Sequence, residues 1–186
     1  MTRASATSFD EVFALAVSAP LRLPHPGASQ RLRALFRELA MTHPPRPADD
    51  IEELIWAHWI GHADGQAART MAIAAESMAA GQGDLARPMC DALIAAHPDW
   101  AEARNKRATL HFIQKHDADA IADIGETLRL EPRHFGALAG FAQICLRGNR
   151  PIEARALFQL ALALNPHLQG VREIVVGLAG ASARLH

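Results

Sequence analysis

Residues 131–136 read EPRHFG, and Pro132 within them has counterparts at Pro98 and Pro166, each 34 residues away. Proline has no N–H to give a helix interior, so equal spacing of prolines marks the end of a helix at the same point of successive repeat units. Setting these prolines at position 32 of a 34-residue unit defines the windows 67–100, 101–134 and 135–168. Other columns then agree in size. Position 8 is Ala74, Ala108 and Ala142; position 20 is Ala86, Ala120 and Ala154; position 24 is Cys90, Ile124 and Phe158.

Working outward, apolar residues recur at helical rather than alternating spacing, alanine is abundant and tyrosine is absent, which predicts an all-α chain. Ser8 is placed to cap a helix over 9–17, broken by LRLPHPG at 21–27. The next helix carries Leu32, Leu35, Phe36 and Leu39 on one face and Arg31, Arg33 and Arg37 towards the other, and THPPRP at 42–47 ends it. A further helix opens at Asp49 and Asp50, where the dipole favours acid, and aligns Ile51, Leu54, Ile55 and Trp59. From residue 64 the pattern becomes helix pairs of similar length, and VREIVVGLA at 171–179 is a last apolar helix.

The chain of 186 residues has a net charge of -1 and is 49% hydrophobic, so it holds enough apolar surface for a core and offers no electrostatic handle on nucleic acid. Cys90 and Cys145 match no metal-ligand spacing and read as buried thiols in a reducing compartment. The apolar run VFALAVSAP at 12–20 follows Asp10 and Glu11 where a signal peptide wants basic residues. No run approaches the roughly 20 apolar residues of a membrane span. These features predict a cytoplasmic protein, the periplasm being the less favoured compartment.

The aligned columns resemble the tetratricopeptide repeat (TPR), whose unit has small residues at positions 8 and 20, a large apolar residue at 24 and proline at 32. AEARNKRATL at 101–110 and LRLEPRHFGAL at 128–138 are similar to a bacterial subset of such proteins without assigned enzymatic activity. The resemblance implies antiparallel helix-pair repeats in a short right-handed α-superhelix, with an N-terminal extension at 1–48, a leading helix at 49–66, three repeats over 67–168 and a capping helix and tail at 169–186. It also marks departures. Position 7 is Ile73, Arg107 and Phe141; position 11 is Ser77, His111 and Cys145; and Pro88 is tolerable only close to the start of its helix.

Arg107 at a packed position needs a carboxylate to offset desolvation, and Asp123 and Glu126 on the next helix, with Glu131 at its end, are available. Arg107, Asp123 and Glu126 therefore read as a structural ion pair, with an anion-binding Arg107 as the alternative. Family geometry puts positions 2, 5, 9 and 12 of each first helix on a concave face that holds extended peptides. Here that face implies partner-binding roles for Met71, Met78, Glu102, Asn105, Thr109, Phe112, Gln143 and Leu146, with Ala75 and Ala139 between them. No Lys or Arg occupies positions 5 or 9, so the type of clamp that grips a terminal carboxylate is not expected.

HWIGH sets His58 and His62 four apart, a zinc-capable spacing, but without an intervening Glu the pair reads as packing or helix-end residues. His97, His134 and His167, beside the repeat prolines, read as helix-end residues whose partial positive charge complements the dipole. No nucleophile elbow, phosphate loop or paired-cysteine zinc pattern occurs. The expected function is a non-enzymatic scaffold, adaptor or assembly factor without cofactor or metal, binding a protein or peptide in the groove. The alternative is a self-associating or autoinhibited module whose N-terminal helices occupy that groove.

Overall fold

The computed structural model describes residues 8–18 and 29–183; the break LRLPHPG lies outside them. Among the described residues every element is a helix: α1 (Phe9–Ser18), α2 (Gln30–Leu39), α3 (Ala48–Ile60), α4 (Gly65–Ala79), α5 (Gly83–Ala96), α6 (Ala101–Ile113), α7 (Asp117–Leu130), α8 (Phe135–Arg147), α9 (Pro151–Leu164) and α10 (Val171–Ala183). The helices keep the period of the sequence. α5, α7 and α9 begin at Gly83, Asp117 and Pro151, and α4, α6 and α8 end at Ala79, Ile113 and Arg147, each step being 34 residues.

By packing, the chain falls into two units: one joins α1 to Trp59–Glu131, and the other joins α2 and α3 as far as His58 to the stretch from Pro132 onward. In the first unit α4 pairs with α5, α5 with α6 and α6 with α7. Ala74, Ala86, Cys90 and Leu110 form one buried cluster, and Ala67, Met71, Leu93, Trp100 and Ala103 form another. The alanines at positions 8 and 20 are the points of closest approach, since a larger side chain there would push the helices apart. Trp100 buries its ring and donates its Nε1–H to the Trp59 carbonyl at 2.8 Å. Ser8 and Glu11 cap α1 reciprocally, each side chain accepting the other's backbone N–H. Val12 and Ala16 of α1 are fully buried, and a Cβ added at Gly125 of α7 would meet Val12 Cγ2 at 3.0 Å. Glycine at 125 is what lets α1 lie so close to α7.

In the second unit α8 pairs with α9 and α9 with α10. Phe135, Leu138, Phe141, Leu157 and Phe158 are buried, around Ala142 and Ala154. α2 buries Leu32, Leu35, Phe36 and Leu39 and leaves Arg31, Arg33 and Arg37 exposed. Ser29 caps it by accepting the Leu32 N–H. α3 sets the Trp56 ring edge-on to Phe135, with centroids 5.4 Å apart, and Phe36 meets the Phe135 ring at 6.3 Å. Glu52 accepts from Asn165 Nδ2 at 2.7 Å and from Trp56 Nε1 at 3.1 Å, which ties α3 to the turn after α9.

The turn inside each helix pair is the same. The N–H groups of Gln82, His116 and Arg150 donate to the carbonyls of Ser77, His111 and Cys145, each at 2.8 Å. This six-residue closure needs a left-handed residue just before its donor, here Gly81 (φ 73°), Lys115 (φ 62°) and Asn149 (φ 55°). Pro88 is the sixth residue of α5 rather than at its start, and its exposed position accommodates the missing backbone bond on the solvent side. Lys115 is the side chain least suited to its backbone, because its Cβ crowds the following carbonyl in the left-handed region. Lys115→Gly is expected to raise stability by about 0.5–1 kcal/mol after the entropy of the added glycine is counted, read as a higher midpoint in urea denaturation.

Candidate functional site

The middle repeat departs most from an apolar interior, and its departures are connected. Arg107 on α6 donates from Nε and Nη2 to the two oxygens of Asp123 on α7, both at 2.7 Å, and from Nη1 to Asp91 on α5 at 2.8 Å. Asp123 is 4% exposed, so its charge is compensated by the guanidinium and not by water. The bidentate bond to Asp123 is the main cause that raises the Arg107 pKa, with Asp91 adding to it, and burial opposes both. One guanidinium thereby joins three helices. Glu126 takes no part in this: it pairs with Arg129 of its own helix. Asp91 fills the place that sequence spacing gave to Glu126. Asp91 and Asp123 lie 16 residues before and after Arg107, so the two flanking second helices each present one carboxylate.

Arg107→Met would strand the buried Asp123 charge and is expected to lower stability by about 3 kcal/mol, whereas Arg107→Met with Asp123→Leu should recover most of it. Denaturant midpoints of both variants check this.

The concave-face positions divide by burial. Met71 belongs to the first unit's core, and Glu102 is fully buried, 3.0 Å from Lys106 Nζ and accepting from Asn105 Nδ2 at 3.1 Å. Asn105 is 8% exposed. These three are interior in the structure, because position 2 and position 5 of their helices carry packing and internal polar bonds. The residues with open surface are Thr109, whose Oγ1 donates to the Asn105 carbonyl at 3.0 Å, and the half-buried Met78 and Phe112. Ile113, four residues after Thr109 on α6, is 63% exposed. In the second unit Gln143 is exposed and Leu146 half-buried.

The histidines have individual partners. His58 Nε2 lies 3.2 Å from Ser29 Oγ in the second unit. In the first, His62 Nδ1 accepts the Asp64 N–H at 3.0 Å, and its ring sits 4.2 Å from that of His97 and 4.6 Å from that of Trp100. His134 corrects the helix-end reading: it stands at the N-terminus of α8, fully buried, and its Nδ1 accepts the Ala137 N–H at 3.1 Å. A positive ring there would oppose the dipole, so the neutral ring serves as the cap. His111 is 5% exposed and faces Asp119 and Asp123. On α2, Arg33 and Arg37 line a shallow dent of about 600 Å³ with Phe36 and Arg133, whose guanidinium lies 4.5 Å over the Phe36 ring.

Cys90 and Cys145 are free and buried. Burial, ahead of the neighbouring Asp91 and Glu153 charges, pushes each thiol up to about 11. The reactive thiolate is therefore scarce in the folded chain. At about pH 8 neither thiol should react with an aromatic disulfide reagent until denaturant is added, when both should titrate.

No family model matches the chain. Over 115 residues, 62% of this chain, it is 36% identical to a Rhizobium etli protein named a TPR repeat-containing protein, of which the match covers 56%. The chain thus matches little more than half the length of that relative. It resembles tetratricopeptide repeat proteins in its buried alanine columns, in its 34-residue helix period and in this identity.

Proposed function

We propose that this TPR-like chain is a non-enzymatic scaffold that binds a protein or peptide segment on the exposed face of its first helices. The observation that carries the reading is the second half of α6, where Thr109, Phe112 and Ile113 share one face at i, i+3 and i+4, and two apolar side chains remain accessible. A surface that leaves Ile113 exposed and Phe112 half-buried offers apolar burial to a partner, while Thr109 supplies a polar contact that selects it. Met78, in the same unit, is a further apolar contributor under this reading. The interior below is held by Arg107 and its two carboxylates, so the face is presented by a rigid helix and needs little ordering on binding.

The proposal assigns no reaction and no cofactor. Among the described residues no helix is long and apolar enough to cross a membrane. Phe112→Ala combined with Thr109→Arg removes the anchor and blocks the face without touching the buried pairs. Co-purification from a cell extract should lose the proteins captured by the wild type while the thermal midpoint stays within a few degrees, as for ordinary surface substitutions. Equal capture by both chains would move the binding surface elsewhere.

A further inference from the structure

Position 11 of the middle repeat is a packed column, yet it holds His111, and the consequence is an unfinished polar group. His111 is 5% exposed, and its Nδ1 is buried without a hydrogen-bond partner. An unpaired buried nitrogen is costly, and a native structure that keeps one commonly has a use for it. Nδ1 lies 3.7 Å from an oxygen of Asp119, too long for a hydrogen bond, and the His116 ring centroid is 6.2 Å from that of His111. One potential ligand atom from each of His111, His116 and Asp119 falls within 4.8 Å of the others. We propose that these three side chains form a binding site for one divalent transition-metal ion, with zinc the best matched.

The chemistry and the frame support this. Two imidazoles and one carboxylate are the ligand types that suit zinc, and three protein ligands leave a fourth position for water or a partner's side chain. A tetrahedral ion with bonds of about 2.0–2.1 Å wants donors on the order of 3.3 Å apart, so ligand atoms within 4.8 Å of one another must draw in by up to about 1.5 Å. The exposed side chains of His116 and Asp119 have the rotamer freedom to do so. The backbone is already fixed. His116 donates its N–H to the His111 carbonyl at 2.8 Å in the turn closure, and Asp119 follows three residues later in the first turn of α7. On the far side of the His111 ring, Nε2 lies 3.7 Å from Asp123, too long for a hydrogen bond but near enough that a small shift would let this carboxylate orient the ring. Burial, with Arg87 next, lowers the His111 pKa, which keeps the ring neutral and its lone pair available. The cationic Arg107 nearby is already engaged by Asp91 and Asp123.

The test uses the full chain without an affinity tag, stripped with chelator and titrated with Zn²⁺ by calorimetry and with Co²⁺ by visible absorption. The expected result is saturable binding of one equivalent, weakened about tenfold or more in His116→Ala and in Asp119→Ala. Both positions are exposed, and far-UV circular dichroism should show both variants folded. His62→Ala with His97→Ala, which removes the other neighbouring histidines of the first unit, should leave binding unchanged. Absence of one-equivalent binding in the wild type, equal binding in the two ligand variants, or loss confined to the His62 and His97 variant would each overturn the proposal.

Discussion

Two helices of a repeat unit approach only as closely as the residues at their crossing allow. Here those residues are alanines at positions 8 and 20, all of them buried. Much of the packing in each unit follows from that approach. It brings Cys90, Ile124 and Phe158 into the space between neighbouring helices, where each is at most 3% exposed. It also fixes the length of the turn within a pair, so the same left-handed residue and the same backbone closure recur at Gly81, Lys115 and Asn149. The prolines after the second helices are a result of this geometry and not its source: they end a helix whose length the packing has determined.

Within that frame the middle repeat replaces apolar contacts by charged ones. An apolar side chain at position 107 would pack as Phe141 does in the next unit; Arg107 instead recruits Asp91 and Asp123, because a guanidinium leaves water only with its donors satisfied. Such a pair adds little net stability over a well-packed apolar residue, but it is directional. The fork of Arg107 meets both oxygens of Asp123 in one orientation, so it specifies how α6 and α7 are placed along each other in a way that alanine contacts cannot.

The period, the helix content and the buried columns were legible in the sequence because each depends on residues at fixed local spacing. The stripe on α2 and the cap at Ser8 are local in the same sense. What stayed hidden depends on which neighbour covers a residue. Spacing alone offered Glu126 to Arg107, but Glu126 lies within reach of Arg129 on its own helix and Asp91 arrives from the preceding one. Met71, Glu102 and Asn105 stand at positions that a repeat pattern labels as accessible, and tertiary packing encloses them. His134 could have been read correctly from its place just before α8, since a histidine three residues ahead of Ala137 is positioned to cap. The approach of His116 and Asp119 to His111 was within reach of sequence reasoning too, because all three flank one turn.

Asp123 is where these strands of the structure converge. One carboxylate accepts both arms of Arg107 and also faces Nε2 of His111 at 3.7 Å, so the electrostatics of position 7 and position 11 are not independent. While Arg107 holds Asp123 in place, His111 has that carboxylate on its Nε2 side and its Nδ1 directed towards Asp119. Groups that share a partner in this way contribute non-additively. The irregular residues of the middle repeat are thus one coupled set, running from the interface of α5, α6 and α7 to the turn beside Phe112 and Ile113, where the accessible face begins.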